Sequence, residues 1–275
     1  MSGPAVPVGG RTAVTLVLAS AVGLLAFTWP LLVDAGAVLS DATTAPLVLG
    51  VVLAGVLAVV LVGLSDGGLD VKAIAVLGLL SALGAVLRPL AAGTAGIETV
   101  FFLLILGGRV FGPGFGFVLG STTLFASALL TGGVGPWLPF QMLGASWIGL
   151  GAGLLPRRTR GGAELAMLAA YAVVAALLYG LAMNLSFWPF QLGLGTELSF
   201  VAGEALGENL GRFLTYSVAT SLGWDVGRAV TTAAGVLLLG RPVLATLRRA
   251  SARAHFGEPA VLFEADARTS GKPLA

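Results

Sequence analysis

Glu98 to Leu130 reads ETVFFLLILGGRVFGPGFGFVLGSTTLFASALL. It carries two charges, Glu98 at its start and Arg109 near its middle. A helix that crosses the hydrocarbon core of a bilayer needs roughly 20 mostly apolar residues. This run is too long for one crossing. Gly107-Gly108-Arg109-Val110-Phe111-Gly112-Pro113-Gly114 breaks it, because glycine and proline punctuate helices. Two spans are therefore predicted, a short one over Glu98–Gly108 and a second over Gly114–Leu130.

The same reading extends in both directions. Before this run lie Thr12–Val33, Ala45–Leu64 and Val71–Leu90. After it lie Pro139–Leu155, Glu164–Leu185 and Val226–Leu247. The count is eight spans. Of the 275 residues, 57% are hydrophobic and only 10% are charged. Soluble domains carry about 25% charged residues, so lipid must solvate much of this chain. The expectation is an all-α polytopic membrane protein, multi-pass in the plasma membrane. The first run exceeds the 7–15 apolar residues usual in a signal peptide, so a retained helix is expected.

Charge sets the orientation. With the N-terminus inside and eight spans, the cytoplasmic ends collect Arg11, Lys72, Arg109, Arg157, Arg158, Arg160, Arg241, Arg248, Arg249, Arg253, Arg268 and Lys272. Only Arg88, Arg212 and Arg228 stay outside, as the positive-inside rule requires. Phe200–Leu222 is long enough to cross, but Glu204, Glu208 and Arg212 fall on one helical stripe. A ninth span would carry the basic tail outside, so this segment is predicted not to span. The basic residues are expected to meet anionic membrane lipid, and they do not mark a nucleic-acid partner.

Val71–Leu90 presents small residues at helical spacing, Ala75, Gly78, Ser81, Ala82 and Ala85. Small residues let membrane helices approach closely. The face serves either packing within the chain or docking of a separate membrane subunit. Gly108, Gly112, Gly116, Gly120, Gly149 and Gly153 are read as packing within the chain.

Aromatic and amide side chains gather at the outer ends. Trp137, Phe140, Gln141, Asn184, Trp188, Trp224 and Asp225 are the candidate substrate-binding residues, with Gln191 nearby. Each tryptophan alone also fits an interfacial belt. Aromatic walls with a few placed polar groups also make a pocket. Asp225 and Arg228, three apart, are expected to pair.

Phe101–Gly120, Thr131–Gly144 and Ala219–Asp225 resemble the substrate-binding S components of energy-coupling factor (ECF) vitamin transporters, over about Val71–Leu247. The resemblance implies a six-helix core, so the first two spans are an extension. The division is 1–70 extension, 71–250 core and 251–275 polar cytoplasmic tail. It implies capture of a vitamin from outside, with cobalamin the first choice and thiamine, biotin, riboflavin or a cobalamin precursor beside it. The implied partners are a transmembrane coupling subunit and two cytoplasmic ATPases. The small-residue face of Val71–Leu90 is then the docking face, although Gly78 and Ser81 depart from the usual alanine-rich pattern.

Enzyme signatures fail. Gly63-Leu64-Ser65-Asp66-Gly67 matches a nucleophile motif but ends a membrane helix with no histidine near it. No Walker A sequence is present, so ATP hydrolysis belongs to partners. The chain has no cysteine, and its one histidine, His255, lies in the tail, so no metal or cofactor is expected. An autonomous secondary transporter would carry ionisable residues near the bilayer midplane. A non-catalytic membrane scaffold is the other alternative.

Overall fold

A computed structural model describes residues 4–6, 8–32, 45–66, 71–91, 94–191 and 196–254. The described chain is all-helical. Its helices are α1 Gly10–Thr28, α2 Ala45–Asp66, α3 Val71–Leu87, α4 Phe101–Phe111, α5 Pro113–Thr131, α6 Leu138–Leu154, α7 Gly161–Gln191, α8 Leu206–Thr220 and α9 Leu222–Ala254. The fold is that of a polytopic membrane protein. Among the described residues, five helical segments are long and apolar enough to cross: Gly10–Leu31, Val71–Leu90, Pro113–Thr131, Gly161–Pro189 and Leu222–Arg253.

The short span differs from its predicted bounds. The helix starts at Phe101 and includes Arg109, while Glu98 stays in the preceding loop. Eleven helical residues rise only about 16 Å. The non-helical segment before α4 supplies more depth. Non-helical backbone at membrane depth is tolerated when protein surrounds it. Here the Thr99 hydroxyl donates to the Leu87 carbonyl and Val100 is fully buried. Every residue of α4 except Phe102 is buried, so this helix is the axis of the bundle.

Gly112, at φ 111° and ψ 173°, reverses the chain between α4 and α5. Only glycine adopts that backbone freely, and Pro113 then opens α5 at a position where no amide hydrogen is missed. The glycines predicted to pack within the chain do so. Gly116, Gly120 and Gly149 bring α5 and α6 into backbone contact, and Gly108 of α4 abuts Gly149 as well.

α8 is a short polar-apolar helix and is not among the segments able to cross. The predicted stripe is altered. Glu204 precedes the helix, yet it still pairs with Arg212 at 2.9 Å. A small second core, Trp188, Phe213 and Tyr216, lies under this segment. α1 and α2 pack on one another and on α5, α6 and α7, whereas α3 packs chiefly on α5.

At the end bearing most of the basic residues, Glu164 of α7 holds two arginines through one oxygen. Arg109 Nε approaches to 2.7 Å and Arg248 Nη2 to 2.6 Å. Arg109 also donates to the carbonyls of Leu155 and Thr159. Four segments are thereby tied at this basic end. The tail beyond residue 254, with His255, lies outside the described residues.

Candidate functional site

The opposite end of the bundle carries a connected polar cluster. Pro89 ends α3 in a single 3-10 turn, Arg88–Ala91. The Arg88 guanidinium then reaches across to α6 and α5. Its Nη2 donates to Gln141 Oε1 at 3.1 Å and its Nη1 to Ser127 Oγ at 3.5 Å. Gln141 lies one helical turn after Trp137, whose carbonyl accepts the Gln141 amide at 3.0 Å. The Trp137 ring is 45% exposed.

The segment from 94 to 100 forms the next part of the ring. Ala95 sits at φ 46° and Gly96 at φ 73°, and both press against the first turns of α9 at Trp224 and Gly227. A left-handed alanine is held only where its surroundings over-determine it. Glu98 follows. Its backbone amide donates to Thr231 Oγ1 at 3.0 Å, and its carboxylate accepts the Val100 amide at 3.2 Å.

α7 and α9 close the cluster. Asp225 and Arg228 pair at 2.6 Å, as their spacing predicts. The Arg228 guanidinium lies 5.3 Å from the centre of the Tyr179 ring, and that ring meets Phe101 edge-on at 4.8 Å. One turn above Gly180, Asn184 Oδ1 accepts the Ser221 hydroxyl at 3.1 Å. Its Nδ2 is buried without a hydrogen-bond partner. Buried amide donors are nearly always paired, so this donor is conspicuous.

The candidate residues thus separate into two groups. Gln141, Asn184 and Asp225 take part in the polar contacts, and Trp137 and Trp224 have exposed rings beside them. Phe140 and Trp188 are in the interior. Phe140 stacks edge-on against Phe27 and Phe187, and Trp188 donates to the Leu198 carbonyl within the second core. Gln191 is helical, but its side chain falls outside the described residues. Sequence reading passed over Arg88, Glu98, Tyr179 and Arg228 as members of the cluster. Arg88 had one available signal, its place among the few cations on the outer side.

The small-residue face of α3 also divides. Ala75, Gly78 and Ala82 are exposed together with Leu79 and Leu83, and nothing lies within 4 Å of a side chain added at Gly78. Ser81 and Ala85 turn inward instead. Ser81 Oγ is 2.7 Å from Thr122 Oγ1 on α5, and Ala85 is fully buried. An apolar cavity of about 460 Å³ opens between α1, α6, α7 and α8, and Tyr179 is among the residues that line it. No group of three or more metal-binding side chains occurs among the described residues.

A family model for the substrate-specific component of ECF transporters matches residues 72–238. The chain belongs to that family. No curated protein and no solved structure matches. The matched range begins in α3 and ends in α9, so α1 and α2 lie outside it, while the α3 face and the polar cluster lie inside. As an ECF substrate-specific component the chain is a membrane-embedded, substrate-binding transport subunit. It is non-catalytic, and ATP hydrolysis lies in partner subunits of the ECF module.

Proposed function

We propose that this chain captures a vitamin or related micronutrient at the outer surface of the plasma membrane for ATP-driven import. The polar cluster formed by Arg88, Glu98, Gln141, Asn184 and Asp225 is the capture site, with Trp137 and Trp224 at its edge. The exposed Ala75-Gly78-Ala82 face docks a transmembrane coupling subunit, which works with two cytoplasmic ATPases. Cobalamin heads the list of substrates, followed by its precursors, biotin, riboflavin and thiamine. Residues 1–70 are an extension, 71–250 the transport core and 251–275 a cytoplasmic tail.

The observation that carries this reading is the open face of α3. Two additional helices are present, yet they pack on α5, α6 and α7 rather than on α3. Gly78 faces open space, and such a face favours shallow, reversible helix contacts. The test is purification of the chain with its native partners, followed by binding of a vitamin panel. The expected result is co-purified ATPase subunits and saturable binding of one vitamin. Ala82→Trp should abolish co-purification and spare ligand binding. Loss of neither, or binding of no vitamin together with no ATPase partner, would sink the reading.

A further inference from the structure

Arg88 differs from the arginines that form salt bridges among the described residues. Arg109 and Arg248 have Glu164, Arg212 has Glu204 and Arg228 has Asp225. Arg88 forms no salt bridge among the described residues. It is held by two neutral acceptors, Gln141 Oε1 and Ser127 Oγ. It is half-buried at the outer end of a membrane helix. A guanidinium removed from water without a counter-ion is costly unless a charge-assisted bond compensates it.

The nearby carboxylates do not bond to it directly. Asp225 is engaged with Arg228 at 2.6 Å. Glu98 lies close enough for the charges of Arg88 and Arg228 to act on it, but it directs its carboxylate to the Val100 amide and forms no salt bridge with either arginine. The Arg88 Nε–H and the Gln141 side-chain NH2 donate to no partner among the described residues. With its oxygen committed to Arg88, Gln141 presents donors only.

We propose that Arg88 and Gln141 form an anion-recognising subsite, so the transported molecule carries a carboxylate or phosphate group. This rests on the polar cluster being the capture site. An arginine and an amide donor side by side match the two oxygens of such a group. Trp137, one turn before Gln141 and exposed, is placed to cover an apolar part of the same molecule.

The test compares ligands that differ only in the anionic group. The pairs are biotin and biotin amide, riboflavin 5′-phosphate and riboflavin, thiamine monophosphate and thiamine, and cobinamide phosphate and cobinamide. The full chain is placed in nanodiscs of phosphatidylcholine, with and without phosphatidylglycerol. The expected result is binding of the anionic member of one pair, unchanged by phosphatidylglycerol. Arg88→Gln should weaken it on the order of 10–100-fold, as loss of one charged hydrogen bond does, and Arg88→Lys should weaken it less. Thermal unfolding of both variants reports folding.

Equal affinity for both members of a pair, or unchanged binding in a folded Arg88→Gln, would overturn the subsite. So would the failure of every anionic member to bind. Retention of phosphatidylglycerol by the native chain and not by Arg88→Gln, with no anionic vitamin bound, would make Arg88 a lipid-headgroup contact. Binding of neutral vitamins alone overturns the subsite and leaves the capture function standing. Co-purification of the ATPase subunits tests that function independently.

Discussion

Gly149 of α6 faces Gly116 of α5 so closely that a methyl group on either would strike the carbonyl of the other. Gly108 of α4 meets the same Gly149 carbonyl, so three helices share one contact. In lipid there is no hydrophobic drive between helices, and close van der Waals packing supplies much of their association.

Gly149→Leu should therefore cost more than the usual 1–3 kcal/mol of an overpacked core, because backbone cannot step aside. The measurement is thermal unfolding in detergent. Gly78→Leu is the control, since space is open there. It should leave unfolding unchanged and disturb only association with partners.

Glu164→Gln should destabilise the basic end of the bundle strongly. Glu164 is 1% exposed and Arg109 4% exposed, and breaking a buried pair costs about 3–5 kcal/mol. Arg248→Ala should cost far less, because that side chain is half in solvent. Unfolding of the two variants side by side checks the order. Equal effects would show that Glu164 does not need Arg109.

Trp29 closes the end of α1 against the outer cap. Its indole donates to the Ser186 carbonyl at 3.3 Å and its ring lies 6.2 Å from Phe200. Trp29→Ala should cost about 3 kcal/mol or more, as loss of a buried tryptophan does. It should also raise protease cleavage within residues 196–205. Unaltered cleavage would show that the cap stands without α1.

The helical, membrane-embedded character of the chain was legible in its apolar runs, and the breaks at Gly112 and Pro113 in its punctuation. Local rules suffice for these, because a backbone in lipid must satisfy its own hydrogen bonds. The Asp225–Arg228 pair was legible for the same reason, since three residues of helix bring the two side chains together. Charge balance across the bilayer predicts that Phe200–Leu222 does not span, and α8 is not among the segments long and apolar enough to cross.

Tertiary packing decided the rest. Spacing grouped Ala75, Gly78, Ser81, Ala82 and Ala85 on α3, but the rotation of that helix against α5 buried Ser81 and Ala85 and left the others open. Trp188 and Trp137 look alike in sequence, yet one is sealed under a cap and the other is exposed. Arg88 and Gln141 lie 53 residues apart and meet only because α3 and α6 end at the same level of the bundle. Periodicity fixes which residues of one helix share a face. Only contact with neighbouring helices fixes where that face points.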